Sequence, residues 1–295
     1  MNDAGKSILQ KIGSELDCFN FPRVKNGGIV VPSDPAVPSI LGKEHNNESS
    51  TSGTSGAGKK AHRREGAPRK RSWSPSQASS LVGASLQTRF EDELDDLSEA
   101  YPGLRLWQQN DGIWLRTESS VIPNLQCVAI FFTGISYPTG MIRSWGFWKH
   151  PLASAKWIGP RHTNFPDGSI CAFELSDQTW VAGDSLVELM DFYTLWALRH
   201  LHLEEFGRWP GPQVVVHPYE RILELKPDEY CGCGKYDKRY GDCCQKGDLA
   251  QNQIRQAVNF VLKYSGGLRA PPQKVIRLAL DQSEPPSLSE LLMAA

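Results

Sequence analysis

The chain has 295 residues, with 32 Lys and Arg against 33 Asp and Glu, a net charge of −1 and 40% hydrophobic residues. This is ordinary globular composition, and no apolar run approaches the roughly 18 residues that a membrane-spanning helix needs. The first residues, MNDAGKSILQKIGSELDCF, lack the apolar core of a secretion signal, and seven Cys are too few and odd in number for a disulfide framework, so a cytoplasmic location is expected.

Charge is unevenly spread. Residues 1–80 hold 12 basic and 7 acidic residues, and the excess comes mostly from Lys59, Lys60, Arg63, Arg64, Arg69, Lys70 and Arg71. The polar stretch NNESSTSGTSGAG runs just ahead of them. Such a segment buries too little apolar area to offset its ordering entropy, so residues 1–80 read as a disordered basic tail with a short helix possible near Ile8–Leu16. A basic run can contact nucleic acid, but no aromatic residues interleave these charges as single-strand stacking requires, so the run reads as a solvated tail.

Order is expected from residue 84. In SLQTRFEDELDDLSEAY, Leu86, Phe90, Leu94 and Leu97 recur at helical spacing, and Pro102-Gly103 ends the pattern. LRLWQQ and IWLRTES flank Asp111-Gly112 as a hairpin, CVAIFFTG (127–134) reads as a buried central strand and MIRSWGFW as a weaker one. Residues 184–206 form the clearest helix, with Ser185 and Glu188 in a capping-box spacing and Leu186, Leu189, Tyr193, Ala197 and Leu201 on one stripe. Strands followed by helices argue for the α+β class.

The loop ahead of that helix, Arg161 to Cys171, holds a Pro-Asp-Gly turn, a Cys after it, and His162 and Asn164 before it. Most single cysteines are small buried hydrophobes, but one that follows a polar turn, with imidazole and amide groups nearby, suits thiolate chemistry. Pro166-Asp167-Gly168-Ser169-Ile170-Cys171, preceded by His162-Thr163-Asn164 and followed by Trp180 and the long helix, resembles the active-site segment of ubiquitin-conjugating enzymes. Thr163 replaces that family's usual Pro, the interval from His162 to Cys171 is one residue shorter, and Phe173 stands where an acid is frequent, with Glu174 one further on.

The resemblance covers residues 84–210 and implies a ubiquitin-conjugating-enzyme-like fold of N-terminal helix, antiparallel strand meander, active-site loop and long helix. It implies that Cys171 carries a protein C-terminus as a thioester and passes it to an amine of a target lysine. Asn164 would supply an amide donor that orders the loop or stabilises the oxyanion. His162 would hold the loop through its imidazole. Asp167 or Asp177 could act as general base for the incoming lysine, although Asp167 reads more naturally as part of a solvated turn. The implied partners are an activating enzyme and either a ubiquitin-like protein or a cGAS-like nucleotidyltransferase, a setting that resembles bacterial antiphage defence.

A second cluster lies at Cys231, Cys233, Cys243 and Cys244. Four thiolates suit a tetrahedral zinc ion with no open position, hence a structural one. With Gly234, Lys235 and Tyr240, the stretch resembles the SEC-C zinc motif, placing a zinc module with a flanking helix at 225–280. Lys235, Lys238, Arg239 and Lys246 could face an acidic partner or simply solvent. LAQNQIRQAVNFVLKYSGG predicts one more helix with Ile254, Val258 and Val261 on one face, PQKVIRLAL a closing strand or short helix, and residues 281–295 a frayed tail. Two function classes follow: a thioester-forming transferase, or a catalytically inactive conjugating-enzyme-like scaffold whose zinc module binds a partner.

Overall fold

The computed structural model describes residues 1–30, 90, 92–122, 127–137, 139–150, 154–173, 180, 184–235 and 237–293. The basic run at 59–71, Leu86, Glu174 and Asp177 lie outside the described residues.

The expected tail boundary does not hold for the first thirty residues. Helix α1 (Asp3–Asp17) starts at Asn2, whose side chain accepts the Gly5 N–H at 2.9 Å. Leu9, Ile12 and Leu16 recur at three and four residues and are fully buried in the main core. Two short strands, β1 (Val24–Lys25) and β2 (Gly28–Ile29), follow as a hairpin. A low apolar fraction over the whole tail concealed one amphipathic helix that a larger surface could cover.

Helix α2 spans 92–100 and turns Leu97 and Leu94 toward the same core. Five strands then form an antiparallel meander: β3 (Arg105–Gln109), β4 (Gly112–Ser120), β5 (Val128–Ser136), β6 (Ile142–His150) and β7 (Ser154–Trp157). Gln109 pairs with Gly112, so the hairpin turn is Asn110-Asp111 and Gly112 already belongs to β4. β2 joins parallel to β4 at Gly28 and Ser120, completing a seven-stranded sheet. The molecule is of the mixed α+β class.

Strand β5 is central and buried on both faces, which explains its continuous apolar run. Ala129, Phe131 and Ile135 face the helices α1 and α2 and the long helix over 186–206, whereas Ile130 and Phe132 face a second core with Trp114, Trp145 and Phe147. Helix α3 (Leu186–Phe206) is capped by Ser185, whose hydroxyl accepts from the Val187 N–H, and ends at Gly207 in the left-handed region.

The C-terminal third is built from α4 (Pro218–Glu224), α5 (Gln245–Ala250), α6 (Gln253–Lys263), α7 (Gln273–Ala279) and α8 (Leu288–Met293). Val275 and Leu278 of α7 cover the second core, so PQKVIRLAL is a helix. The expected frayed tail at 281–295 is also corrected up to residue 293. Leu288 is 1% exposed in that core, Trp114 Nε1 donates to the Pro286 carbonyl at 2.9 Å, and the Asp111 carboxylate accepts from Ser287 and from the Ser289 N–H. In α6 the buried residue is Phe260, while Ile254, Val258 and Val261 face outward. Among the described residues no helix is long and apolar enough to cross a membrane.

Candidate functional site

The segment from Arg161 to Cys171 is a tight turn clamped at both ends. Thr163 and Ile170 form an antiparallel bridge, Asn164 N donates to the Ser169 carbonyl at 2.7 Å, and Gly168 N donates back to the Asn164 carbonyl at 2.9 Å. Gly168 has φ +63°, and a Cβ there would lie 2.8 Å from the Trp157 ring and 2.9 Å from the Ala270 backbone, so the turn requires glycine. The Asn164 side chain donates to Ser169 Oγ and to the Ile170 carbonyl, both at 3.1 Å. The Asp167 carboxylate accepts from the Ser169 N–H and hydroxyl and lies 3.5 Å from Arg143 Nε. Its side chain is largely buried, so it is a closed turn and not the solvated one its sequence suggests.

Cys171 leaves this turn half-buried. Its backbone N–H donates to the His162 carbonyl at 3.1 Å, and the same carbonyl accepts from Trp196 Nε1 of α3 at 2.8 Å. His162 sits in the left-handed region at φ 51°, its ring centroid 4.1 Å from that of Trp209. Its Nε2 lies 3.1 Å from Gln213 Oε1, and the Gln213 amide is oriented by its own donation to the Tyr230 carbonyl. An amide oxygen only accepts, so Nε2 carries the proton. Burial first, then the Arg161 charge, holds the ring well below the ordinary imidazole pKa, and His162 is a neutral positioning group.

Cys171 and His162 line a cleft of about 580 Å³ between the turn, α3 and the segment 209–214. Phe19 and Phe21 from the N-terminal segment, Phe173, Phe192, Leu195, Trp196 and Trp209 supply apolar surface. Asn164 and Asp167 do not line it; both are spent inside the turn. Thus the structure brings two of the four sequence-derived site residues to one cavity and leaves the other two as turn supports.

Three residues that the sequence did not single out hold this arrangement. The Arg161 guanidinium donates to Glu229 at 3.1 and 2.5 Å and to Gln213 at 2.7 Å. Glu229 also accepts the Trp209 N–H at 2.7 Å. These contacts span 52 and 68 residues of chain. No local pattern marks them.

No protein-family model, curated protein or solved structure matches this chain.

Behind Glu229 lies the cysteine cluster. The Sγ atoms of Cys231, Cys233, Cys243 and Cys244 all fall within 4.8 Å of one another, with Cys233–Cys243 and Cys243–Cys244 at 3.7 Å. Sulfurs about 2.3 Å from a central tetrahedral zinc are about 3.8 Å apart, whereas a disulfide brings them to about 2.0 Å. The spacing fits a metal, and the four cysteines lie close enough to hold one. Gly232 shapes the knuckle: φ is +71°, and a Cβ would lie 2.8 Å from the Val215 nitrogen. A buried bidentate pair, Arg221 with Asp248 at 2.8 Å for both contacts, fixes α4 against α5 around the cluster. Of the basic residues near the knuckle, Arg239 lies 3.9 Å from the Tyr230 ring and is committed internally.

Proposed function

We propose that this protein is a ubiquitin-conjugating-like transferase that carries a protein C-terminus as a thioester on Cys171 and transfers it to an amine. The observation that carries this reading is the placement of Cys171 at the exit of a rigid turn, half-buried, at the wall of an apolar cleft. An apolar cleft can hold an extended polypeptide and keep water from the acyl group. The thiolate attacks the incoming thioester and the donor thiol leaves. A lysine amine then attacks the same carbonyl, an isopeptide bond forms and Cys171 is released as the thiol. His162 and Asn164 position the turn in this scheme, and neither serves as a base. The antiparallel meander followed by α3 is compatible with the conjugating-enzyme-like fold that the motif resembles.

The donor set reads as zinc, coordinated by Cys231, Cys233, Cys243 and Cys244, with a structural role because four thiolates leave no open position. Reduced thiols at these sites suit the cytoplasm. An activating enzyme, a ubiquitin-like protein or cGAS-like nucleotidyltransferase, and a target lysine are the partners this reading requires, and a defence setting is compatible with it.

Substitutions Cys171→Ser and Cys171→Lys convert a labile thioester into a stable ester or amide. Purification of each variant from the native cell, followed by intact-mass spectrometry, should show an added protein mass joined at residue 171. Absence of any adduct from both variants rejects the transferase reading. A scaffold role is then favoured by one observation, the outward apolar face of α6, where Ile254 and Leu262 are 79% and 77% exposed.

A further inference from the structure

Most arginines that this fold buries are matched by acids. Arg116 pairs with Glu118, Arg161 with Glu229, Arg221 with Asp248, and Arg269 with Glu220 and Glu224. Arg199 on α3, half-buried with its Nε enclosed, differs. Among the described residues it has no carboxylate partner, and its Nε is shut off from solvent with no hydrogen-bond acceptor. Its guanidinium carbon lies 5.4 Å from the Phe21 ring centroid and 6.0 Å from that of Trp209. Burial without a compensating anion draws its pKa down to about 10.

The position is informative. Arg199 stands three residues after Trp196, whose indole binds the His162 carbonyl that also receives the Cys171 N–H. Arg199 and Cys171 line the same cleft, and among the described residues that line it Arg199 is the one charged side chain. The rest of the lining is neutral and mostly aromatic or aliphatic, and Phe19 and Phe21 at its wall are about half exposed. A guanidinium near two aromatic rings, with an enclosed Nε–H that meets no acceptor among the described residues, is a receptor for a planar anion, and a carboxylate matches its fork.

We infer that the Cys171 cleft is a carboxylate-binding site in which Arg199 receives one carboxylate of a polypeptide that is otherwise apolar where it touches the cleft. The assignment deepens the transferase reading and rests on it for the identity of the polypeptide as the passenger. The passenger's terminal carboxyl is consumed in the thioester, so the carboxylate at Arg199 comes from an acidic side chain near that terminus or, after hydrolysis, from the freed terminus itself. Both sources offer the same chemistry.

The test uses the full, metal-loaded chain and needs no transfer. Iodoacetate and iodoacetamide alkylate thiolates alike but differ in a carboxylate. The ratio of their rates at Cys171, followed by peptide-level mass spectrometry, should exceed the ratio at the exposed Cys18 about tenfold. Arg199→Gln should bring the two ratios together, and Arg199→Lys should retain part of the difference. Protection of Cys171 from iodoacetamide by acetyl-Phe-Leu-Gly, but not by its C-terminal amide, would assign the freed terminus. Protection by the amide of acetyl-Phe-Asp-Leu-Gly would assign the acidic side chain. Equal ratios at Cys171 and Cys18 in the parent, or protection by both neutral and acidic peptides alike, would overturn the inference. A preserved ratio with no adduct on the Cys171→Lys variant would leave the carboxylate site standing and reject the transferase reading, whereas an adduct without charge preference would do the reverse.

Discussion

The carboxylate of Glu229 receives two hydrogen bonds from Arg161, at 3.1 and 2.5 Å, with both side chains almost wholly removed from solvent. Arg161 immediately precedes His162, whose carbonyl holds the Cys171 amide, and Glu229 lies two residues before Cys231 of the knuckle. One ion pair therefore joins the turn that ends in Cys171 to the cysteine cluster. Removing one partner leaves the other charge buried and unmatched, which costs about 3–5 kcal/mol. Glu229→Ala is expected to lose that much stability in urea denaturation. It should also raise hydrogen exchange at the amides of Asn164, Gly168 and Cys171. Arg161→Met combined with Glu229→Leu should cost less than either single loss, because no unpaired charge remains.

Metal analysis of the purified chain should give about one zinc per molecule, and Cys233→Ser should reduce it. Chelation is expected to lower the melting temperature and loosen the same three turn amides, since the knuckle carries Glu229 and the Tyr230 carbonyl that orients Gln213. A chelated chain whose turn amides stay protected would show that the ion pair alone fixes the turn.

Acid should destabilise the fold through its buried histidines. Burial draws His200 down to about 3 and holds His162 well below the usual value. A folded-state pKa below the unfolded value means that the unfolded chain binds more protons. Their contribution is complete above about pH 6.5 and is lost progressively as pH falls toward the folded values, at up to about 1.4 kcal/mol per pH unit for each ring. Urea denaturation at pH 7.5 and 5.5 should show this loss, and His200→Phe should remove part of it, since burial also lowers His202 and His217. A pH-independent stability across that window would exclude neutral, buried rings.

Helix α1 belongs to the folded body. Besides burying Leu9, Ile12 and Leu16, it offers Asp17, whose side chain accepts the Gly211 N–H at 2.8 Å and pairs with Arg208, while its carbonyl accepts from Tyr230 Oη at 2.5 Å. Leu16→Ala is expected to cost about 2–5 kcal/mol, the range for a fully buried leucine. A chain starting after residue 17 should lose cooperative unfolding, measured by circular dichroism during heating.

Much of the architecture was legible in local pattern. A turn dipeptide between two short runs marked the β3–β4 hairpin, a continuous apolar run marked β5, the capping residue and stripe marked α3, and four closely spaced cysteines marked a cluster able to bind a metal. These signals are local because hydrogen bonding in a helix or hairpin and chelation by one short loop involve residues near one another in the chain. The motif ending in Cys171 marked the turn, but it did not separate its residues by task. Asn164 and Asp167 are engaged inside the turn, and only His162 and Cys171 reach the cleft.

What the chain alone determined, then, is the helix over 92–100, the strands β3 to β6, the helices α3 and α6, and the two cysteine-bearing loops. Tertiary structure decided which surfaces those elements share. Phe21 and Arg199 stand 178 positions apart yet face one cavity. Arg161 and Glu229 are 68 apart yet form one buried pair. Trp114 meets the Pro286 carbonyl across 172 residues, which turns an apparent tail into part of the second core. Such pairings depend on burial of apolar faces from distant segments, which then brings polar groups together at short range and low dielectric. No window of sequence holds both partners, so only the folded chain reveals them.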